Sequence, residues 1–363
     1  MRSFCCGVSC VVLLTACGAR TDLPHEERST DASLIDVVGS DAGTGCRGLP
    51  LAPTELVRDP SFAPKAVALR GDTLFFGVVD ERPLSEEQTG GIYRMQVRGG
   101  VYERLELSQP YYGNTFGLLV GVDYIVYHQV RATRTGAMGW AFSYPAIVIE
   151  RDRRDVRVLV TELEPEAGRA SAMALLGDRI FFGRHRAAPD SERGNVGRYE
   201  IRADEETTLL ERADVRAAIG SARHAYLWLY DGGDGVLLRV TAASDVIELE
   251  RYPDFSCCWP WAADNQALYF RRGDAIERRP IGEEPVTIAE ATTRAAILPA
   301  AVDERYLYWA DSASIHYVDK EGGRVETLVD GGTAFVEGLA TDGCGVYYSV
   351  VNPPRVMAIA APD

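Results

Sequence analysis

Seven times along this chain a short run of apolar and aromatic residues follows a tight polar turn, and no other feature constrains the fold as strongly. The runs are 73–77 (TLFFG), 124–128 (YIVYH), 179–183 (RIFFG), 225–229 (AYLWL), 267–271 (ALYFR), 306–310 (YLYWA) and 346–350 (VYYSV). They recur at intervals of about 40 to 55 residues, the period of units that cannot bury an apolar face alone and must stack on neighbours. Most follow a strand of small apolar residues and a turn, as in 66–72 (AVALRGD), 172–178 (AMALLGD), 300–304 (AAVDE) and 338–343 (GLATDG). Small residues suit strands crowded round an axis, and the Gly and Asp residues suit two-residue hairpins.

Two further strands are expected after each of the first six runs: 91–97 with 102–107, 146–151 with 156–161, 196–202 with 207–211, 236–241 with 245–250, 275–280 with 285–289, and 314–319 with 324–329. Four short alternating strands per unit is the pattern of a propeller blade. The seventh unit stops after 354–360 without a fourth strand, whereas 53–58 (PTELVR) precedes the first unit and resembles 325–329 (VETLV). The sequence therefore predicts an all-β fold, a seven-bladed β-propeller closed by an N-terminal strand that completes the last blade and removes the open edge. Six blades, with unit two demoted for its irregular first strand, is the alternative.

The 363 residues, 46% hydrophobic and 25% charged, suffice for one large repeat domain or two ordinary ones with a sizeable core. A formal charge of −15 excludes general nucleic-acid binding, which needs a basic face, and disfavours an anionic membrane surface as the main partner. Lys65 and Lys320 are the only lysines, a bias assigned to coding composition.

Residues 1–16 read as a signal peptide: Arg2, then an apolar stretch too short to span a bilayer. It ends in Leu14-Thr15-Ala16-Cys17, which resembles the lipobox of bacterial lipoproteins. That resemblance implies that Cys17 becomes the acylated first residue and holds the chain to a membrane. Gly18 after it, in place of the Asp that retains such proteins at the inner membrane, points to the outer membrane of a bacterial cell envelope. Residues 17–45 then form a lipid-anchored tether, polar and without a sustained period. The propeller is expected over 46–363.

Unit six, with Tyr308-Trp309-Ala310-Asp311, resembles the YWTD-type blade of receptor propellers and of many bacterial surface lipoproteins, with Ala310 where Thr is usual. The likeness is confined to that unit and concerns blade style, because YWTD domains proper have six blades. As a whole the chain looks like lipoproteins with an acylated cysteine, a tether and such a propeller, a group that implies no common activity.

Strands in a blade alternate in direction, so connections alternate between two ends of the ring. Cys344, in the first hairpin of blade seven, and Cys46, just before the closing strand, fall at one end and are expected to form a disulfide. Cys257 and Cys258 fall at the other; neighbouring Cα atoms are closer than the usual cystine range, so a vicinal bridge and two free thiols both stay open.

Long connections at 80–90, 131–144 and 184–195 belong to blades one to three and sit at the end opposite Cys344. The expected ligand-binding residues lie there: His128, Arg131, Arg134, Arg184, His185 and Arg186 as a basic patch for an anionic group, with Tyr111, Tyr112, Trp140 and Trp259 as aromatic contacts. Phe62, Phe142, Tyr252, Phe255, Trp261 and Phe335 fall at the same end, with packing between blades as the competing reading. No zinc spacing, nucleophile elbow, P-loop or HExxH motif is present, and Asp231-Gly-Gly-Asp234-Gly has too few ligands for a calcium loop. No catalytic residue, metal or cofactor is therefore expected. The favoured reading is a non-enzymatic binding or scaffold protein for a protein, peptide or glycan. The alternative is a propeller hydrolase or lyase with a metal in the axial funnel.

Overall fold

The computed structural model describes residues 49–58, 63–79, 91–97, 101–105, 115–129, 131–134, 140–143, 146–150, 156–158, 170–184, 194–211, 213–221, 223–253, 258–290, 299–311, 314–331 and 335–362. Among these residues every regular element is a β-strand. The first, β1 (Thr54–Val57), belongs to the last blade. Blade one is β2 (Ala63–Arg70), β3 (Thr73–Val79), β4 (Gly91–Gln96) and β5 (Glu103–Arg104). Blade two is β6 (Thr115–Val120), β7 (Tyr124–Gln129), β10 (Ala146–Glu150) and β11 (Val156–Val158), with β8 (Arg131–Arg134) and β9 (Trp140–Ser143) as a separate ribbon. Blade three is β12 (Ala170–Leu176), β13 (Arg179–Arg184), β14 (Asn195–Glu200) and β15 (Glu205–Glu211). Blade four is β16 (Asp214–Gly220), β17 (His224–Asp231), β18 (Asp234–Thr241) and β19 (Val246–Tyr252). Blade five is β20 (Cys258–Ala263), β21 (Ala267–Arg272), β22 (Ala275–Pro280) and β23 (Val286–Glu290). Blade six is β24 (Ala300–Val302), β25 (Tyr306–Asp311), β26 (Ser314–Asp319) and β27 (Glu326–Val329). Blade seven is β28 (Val336–Thr341), β29 (Gly345–Val350), β30 (Arg355–Ala360) and β1.

The seam is where the sequence puts it. Strand β1 runs antiparallel to β30, pairing Thr54 with Ala358, Glu55 with Met357 and Val57 with Val356. Unit two forms a complete four-stranded sheet, so seven blades stand and the six-blade alternative falls. One expected loop is not irregular: within 131–144, β8 and β9 pair as a two-stranded ribbon with Arg134 opposite Trp140. Alternating RATR and WAFS segments separated by a Gly-containing turn are hairpin material.

Apolar burial is divided into seven clusters, one for each junction between adjacent blades. Each sheet is thus apolar on both faces in its inner strands and exposes its outer strand to water. Innermost strands of successive blades touch, and β28 touches β2 to close the ring. Small residues permit this: a Cβ on Gly338 would sit 2.8 Å from the Val67 backbone nitrogen, and one on Gly220 would sit 2.9 Å from the Leu175 carbonyl oxygen.

The last three blades share a turn. Asp264 Oδ1 accepts from the N–H groups of Gln266 (2.7 Å) and Ala267 (2.8 Å), while Oδ2 accepts from the Tyr269 hydroxyl (3.0 Å). Asp303 repeats this with Arg305, Tyr306 and Tyr308, and Asp342 with Cys344, Gly345 and Tyr347. Burial, and then the adjacent carboxylate, hold the Tyr269 and Tyr308 hydroxyls above the ordinary phenol range. Each aspartate locks its hairpin and anchors the ring of the second strand.

Both lysines bridge blades. Lys65 of blade one meets Glu337 of blade seven at 3.1 Å. Lys320 of blade six, 7% exposed, donates to Asp264 Oδ2 of blade five (2.8 Å) and to the Asp303 carbonyl (2.8 Å). Lys320 thus makes two bonds from one ammonium, and Lys65 makes one.

Candidate functional site

The end of the ring where each first strand begins is here called the upper end. First strands carry a bulge near that end in six blades: at Pro64/Ala66, Phe116/Leu118, Ala170/Met173, Val215/Ala217, Pro260/Ala262 and Val336/Gly338. A bulge re-aims the extra side chain. In blades one, four and seven that residue is charged: Lys65, Arg216 and Glu337. Lys65 and Glu337 pair with each other. Arg216 is held by Asp214, which is 3% exposed, and its guanidinium lies 5.8 Å from the Tyr230 ring centroid. In blade five the bulge residue is Trp261, turned inward to stack on Trp309 at 6.0 Å. The upper end thus collects Lys65, Asp214, Arg216, Tyr230 and Glu337, with its charges paired as Lys65–Glu337 and Arg216–Asp214.

The residues expected from sequence fall on this same end where they are described. His128 lies on β7 opposite Phe116 and Ala146. Arg131 and Arg134 lie on β8, Trp140 on β9, and Arg184 closes β13 opposite Ala170 and Asn195. Trp259 lies on β20 opposite Arg271, next to Cys258, the first residue of that strand. Only the backbone of these residues is described. Tyr111, Tyr112, His185, Arg186, Cys17, Cys46 and Cys257 lie outside the described residues, as do Phe62 and Phe255. Of the remaining aromatics, Tyr252 and Trp261 pack between blades at 2% exposure, and Phe335 is half exposed. Asp231 and Asp234 are tied to Arg251 at 2.7 and 3.5 Å. Cys344 is disulfide-bonded. Among the described residues no group of three or more His, Cys, Asp or Glu is placed to hold a metal ion.

The lower end holds a feature that the sequence reading did not find, a cavity of about 510 Å³ between blades four and five. Its polar lining is Tyr226, Arg239, Arg279, Glu283 and Glu284; Leu249, Leu268 and Ile281 are apolar wall. Tyr226 and Arg239 face each other across β17 and β18. Tyr226 is 2% exposed, and burial pushes its phenol up to about 12 while the two guanidiniums oppose the shift. No hydrogen bond forms at the Tyr226 hydroxyl or at Arg239 among the described residues, and the buried Arg239 Nε has no acceptor. Arg279, by contrast, is engaged by Glu250 and by the Leu249 carbonyl. Burial, reinforced by Arg239 and Arg223, lowers the affinity of nearby His224 for a proton. The available signal was the turn alignment: Ser221 stands where the next three blades carry aspartate.

These features define a seven-bladed β-propeller of four-stranded blades, sealed by its N-terminal strand. No protein-family model matches the sequence, and no curated protein matches it. Solved structures of the same architecture include virginiamycin B lyase from Staphylococcus aureus, at 13% identity and TM-score 0.58, covering 85% of this chain and 99% of that one. Oligogalacturonate lyase from Vibrio parahaemolyticus is similar at 11% identity and TM-score 0.58, covering 86% and 94%. The β-propeller domain of the Trilobed protease from Pyrococcus furiosus is similar at 9% identity and TM-score 0.56, covering 83% and 96%. At such identities the likeness is one of fold alone.

Proposed function

We propose that this chain is a lipid-anchored binding protein of a bacterial cell envelope, whose propeller offers its upper end to an acidic protein, peptide or glycan. The observation that carries this reading is the β8–β9 ribbon, raised among the described residues on blade two alone, which sets Arg134 opposite Trp140 at the upper end. Function concentrates on such excursions from a rigid scaffold. The neighbouring Arg131, His128, Arg184, His185 and Arg186 supply forked donors for carboxylates, and Tyr111, Tyr112 and Trp259 supply aromatic contact.

In this reading Cys17 carries the acyl chains, residues 18–45 are the tether, and the outer membrane is the site of attachment. Cys46 is the partner of Cys344. Support comes from the chain just after Cys46: the Pro50 carbonyl accepts from Ala360 N–H at 3.0 Å, and Leu49 packs against Gly345, next to Cys344.

The full chain in detergent, assayed on arrays of acidic and neutral peptides and glycans, should favour acidic ligands. Replacing Arg131, Arg184 and Arg186 together by Ala should weaken those ligands and leave neutral ones unchanged. Equal binding of acidic ligands by the triple variant would refute the basic patch. Cys17→Ser should move the protein from the membrane fraction to the soluble one.

A further inference from the structure

Blades five and six are pinned at the lower end by Lys320 and Glu321, whereas blades four and five are tied there only by Arg279, to Glu250 and the Leu249 carbonyl. Register makes the comparison residue by residue. In blade five Tyr269 faces Arg278 across β21 and β22, as Tyr226 faces Arg239 across β17 and β18. Blade six reaches back to fill both needs: Lys320 bonds Asp264 at 2.8 Å, and Glu321 bonds Arg278 at 3.1 Å. The pairs Ala267↔Pro280 and Tyr306↔Asp319 bring blades five and six into register, so Ile281 stands for Lys320 and Gly282 for Glu321. Ser221 stands for Asp264. The junction of blades four and five therefore carries different residues at all three pin positions and keeps the facing tyrosine and arginine. Tyr226 and Arg239 both lie on the wall of the cavity, and the buried Arg239 Nε has no acceptor, as the Arg278 Nε has none in the pinned junction.

A phenol and a guanidinium facing each other on a cavity wall, with no hydrogen bond to another described residue, are donors that a ligand can engage together. An oxyanion would do so, accepting from Tyr226 and Arg239 together. A polyanion would not suit the site, because Glu250 already neutralises Arg279 and the rim carries Glu283 and Glu284. Those two carboxylates suit a cationic group at the far end of the same ligand. Leu249, Leu268 and Ile281 suit apolar side chains between the ends. A volume of about 510 Å³ exceeds one amino acid and falls in the usual range of small-ligand sites.

We propose that the cavity between blades four and five is a binding site for a short zwitterionic peptide with apolar side chains. Its C-terminal carboxylate lies on Arg239 and Tyr226, and its ammonium group lies at Glu283 and Glu284. The site is at the opposite end of the ring from the upper binding face and does not depend on it.

Isothermal titration of the full chain with L-leucyl-L-leucine tests this. The free dipeptide should bind. Its C-terminal amide should bind about tenfold or more weakly, the loss expected for a charged acceptor. The N-acetyl dipeptide should also be weakened, and inorganic phosphate should bind more weakly than the dipeptide. Tyr226→Phe should weaken the dipeptide by about three- to tenfold. The pair Ser221→Asp with Ile281→Lys rebuilds the Asp–Lys part of the pin; it should abolish dipeptide binding and raise the thermal midpoint. Failure of L-leucyl-L-leucine to bind, or equal affinity for its amide, would overturn the site. So would phosphate binding tighter than dipeptide, or unaltered dipeptide affinity in either Tyr226→Phe or the rebuilt-pin variant. The Arg131, Arg184 and Arg186 triple variant should bind the dipeptide as the parent does, which separates this site from the upper face.

Discussion

The pin between blades five and six gives the sharpest energetic test. Asp264 and Lys320 are each 7% exposed, and their charges meet at 2.8 Å. Lys320→Met keeps most of the apolar stem and removes two bonds, one to the Asp264 carboxylate and one to the Asp303 carbonyl. The carboxylate still holds two backbone N–H groups and the Tyr269 hydroxyl. Losing the charged bond costs about 1.5–3 kcal/mol and the neutral one about 1 kcal/mol, so the variant should lose about 3 kcal/mol. Asp264→Ala strips four donors of their acceptor at once, including a buried ammonium, and should lose about 4–5 kcal/mol. The order of the two losses matters more than either size. Urea unfolding followed by tryptophan fluorescence is the assay, because Trp261 and Trp309 stack at this same junction. If Lys320→Met costs as much as Asp264→Ala, the hairpin bonds add nothing. If both lie below about 1 kcal/mol, well under the usual cost of breaking a buried pair, the pin is not a stabilising contact and the reasoning fails.

Three further expectations bear on the same framework. Tyr308→Phe should cost about 1–2 kcal/mol by leaving an Asp303 oxygen without its hydroxyl donor, whereas Tyr226→Phe should be neutral or slightly stabilising without ligand; equal losses in paired urea titrations would contradict this. Gly338→Ala should cost about 1–3 kcal/mol by pushing β28 away from β2, with faster hydrogen exchange in both strands as the readout and unchanged exchange as the refutation. His224 and His316 are both held below the ordinary histidine range, chiefly by burial, with the nearby Asp311 and Asp330 opposing the shift at His316. Folding therefore disfavours their protonation; stability is full above about pH 6.5 and declines as the pH falls through that value toward the lowered ones. Replacing both by Gln should flatten the thermal midpoint between about pH 7 and 5, and an unaltered slope would exclude them as its source.

The fold could be read from the chain because each blade repeats a hydrophobic alternation that only one architecture satisfies at this spacing. All seven second strands begin within one residue of their expected starts, and the N-terminal strand pairs with the strand left without a partner. What could not be read was set by tertiary contact. Nothing local distinguishes Lys320 from a surface lysine; its role appears only when blade six lies against Asp264. Tyr252 and Trp261 sit in segments that also line an end of the ring, and the bulge at Pro260/Ala262 turns Trp261 inward. The lower cavity was not legible from the turn alone, since Ser221 stands outside the series Asp264, Asp303, Asp342 just as Gly121 of blade two does. Its meaning required the register that sets Ile281 and Gly282 where Lys320 and Glu321 would stand.

Strand β1 is the first piece of the ring to be synthesised and the last to find its neighbour. Its partner β30 is made only after every other blade has been completed, so the longest loop closure in the molecule is left for the end. Until then β1 waits as a solitary strand of four residues, with Thr54 and Glu55 exposed even in the finished ring, too short and too polar to recruit a stray chain. Completion of the ring thus waits on one seam, which cannot form until β30 has been made.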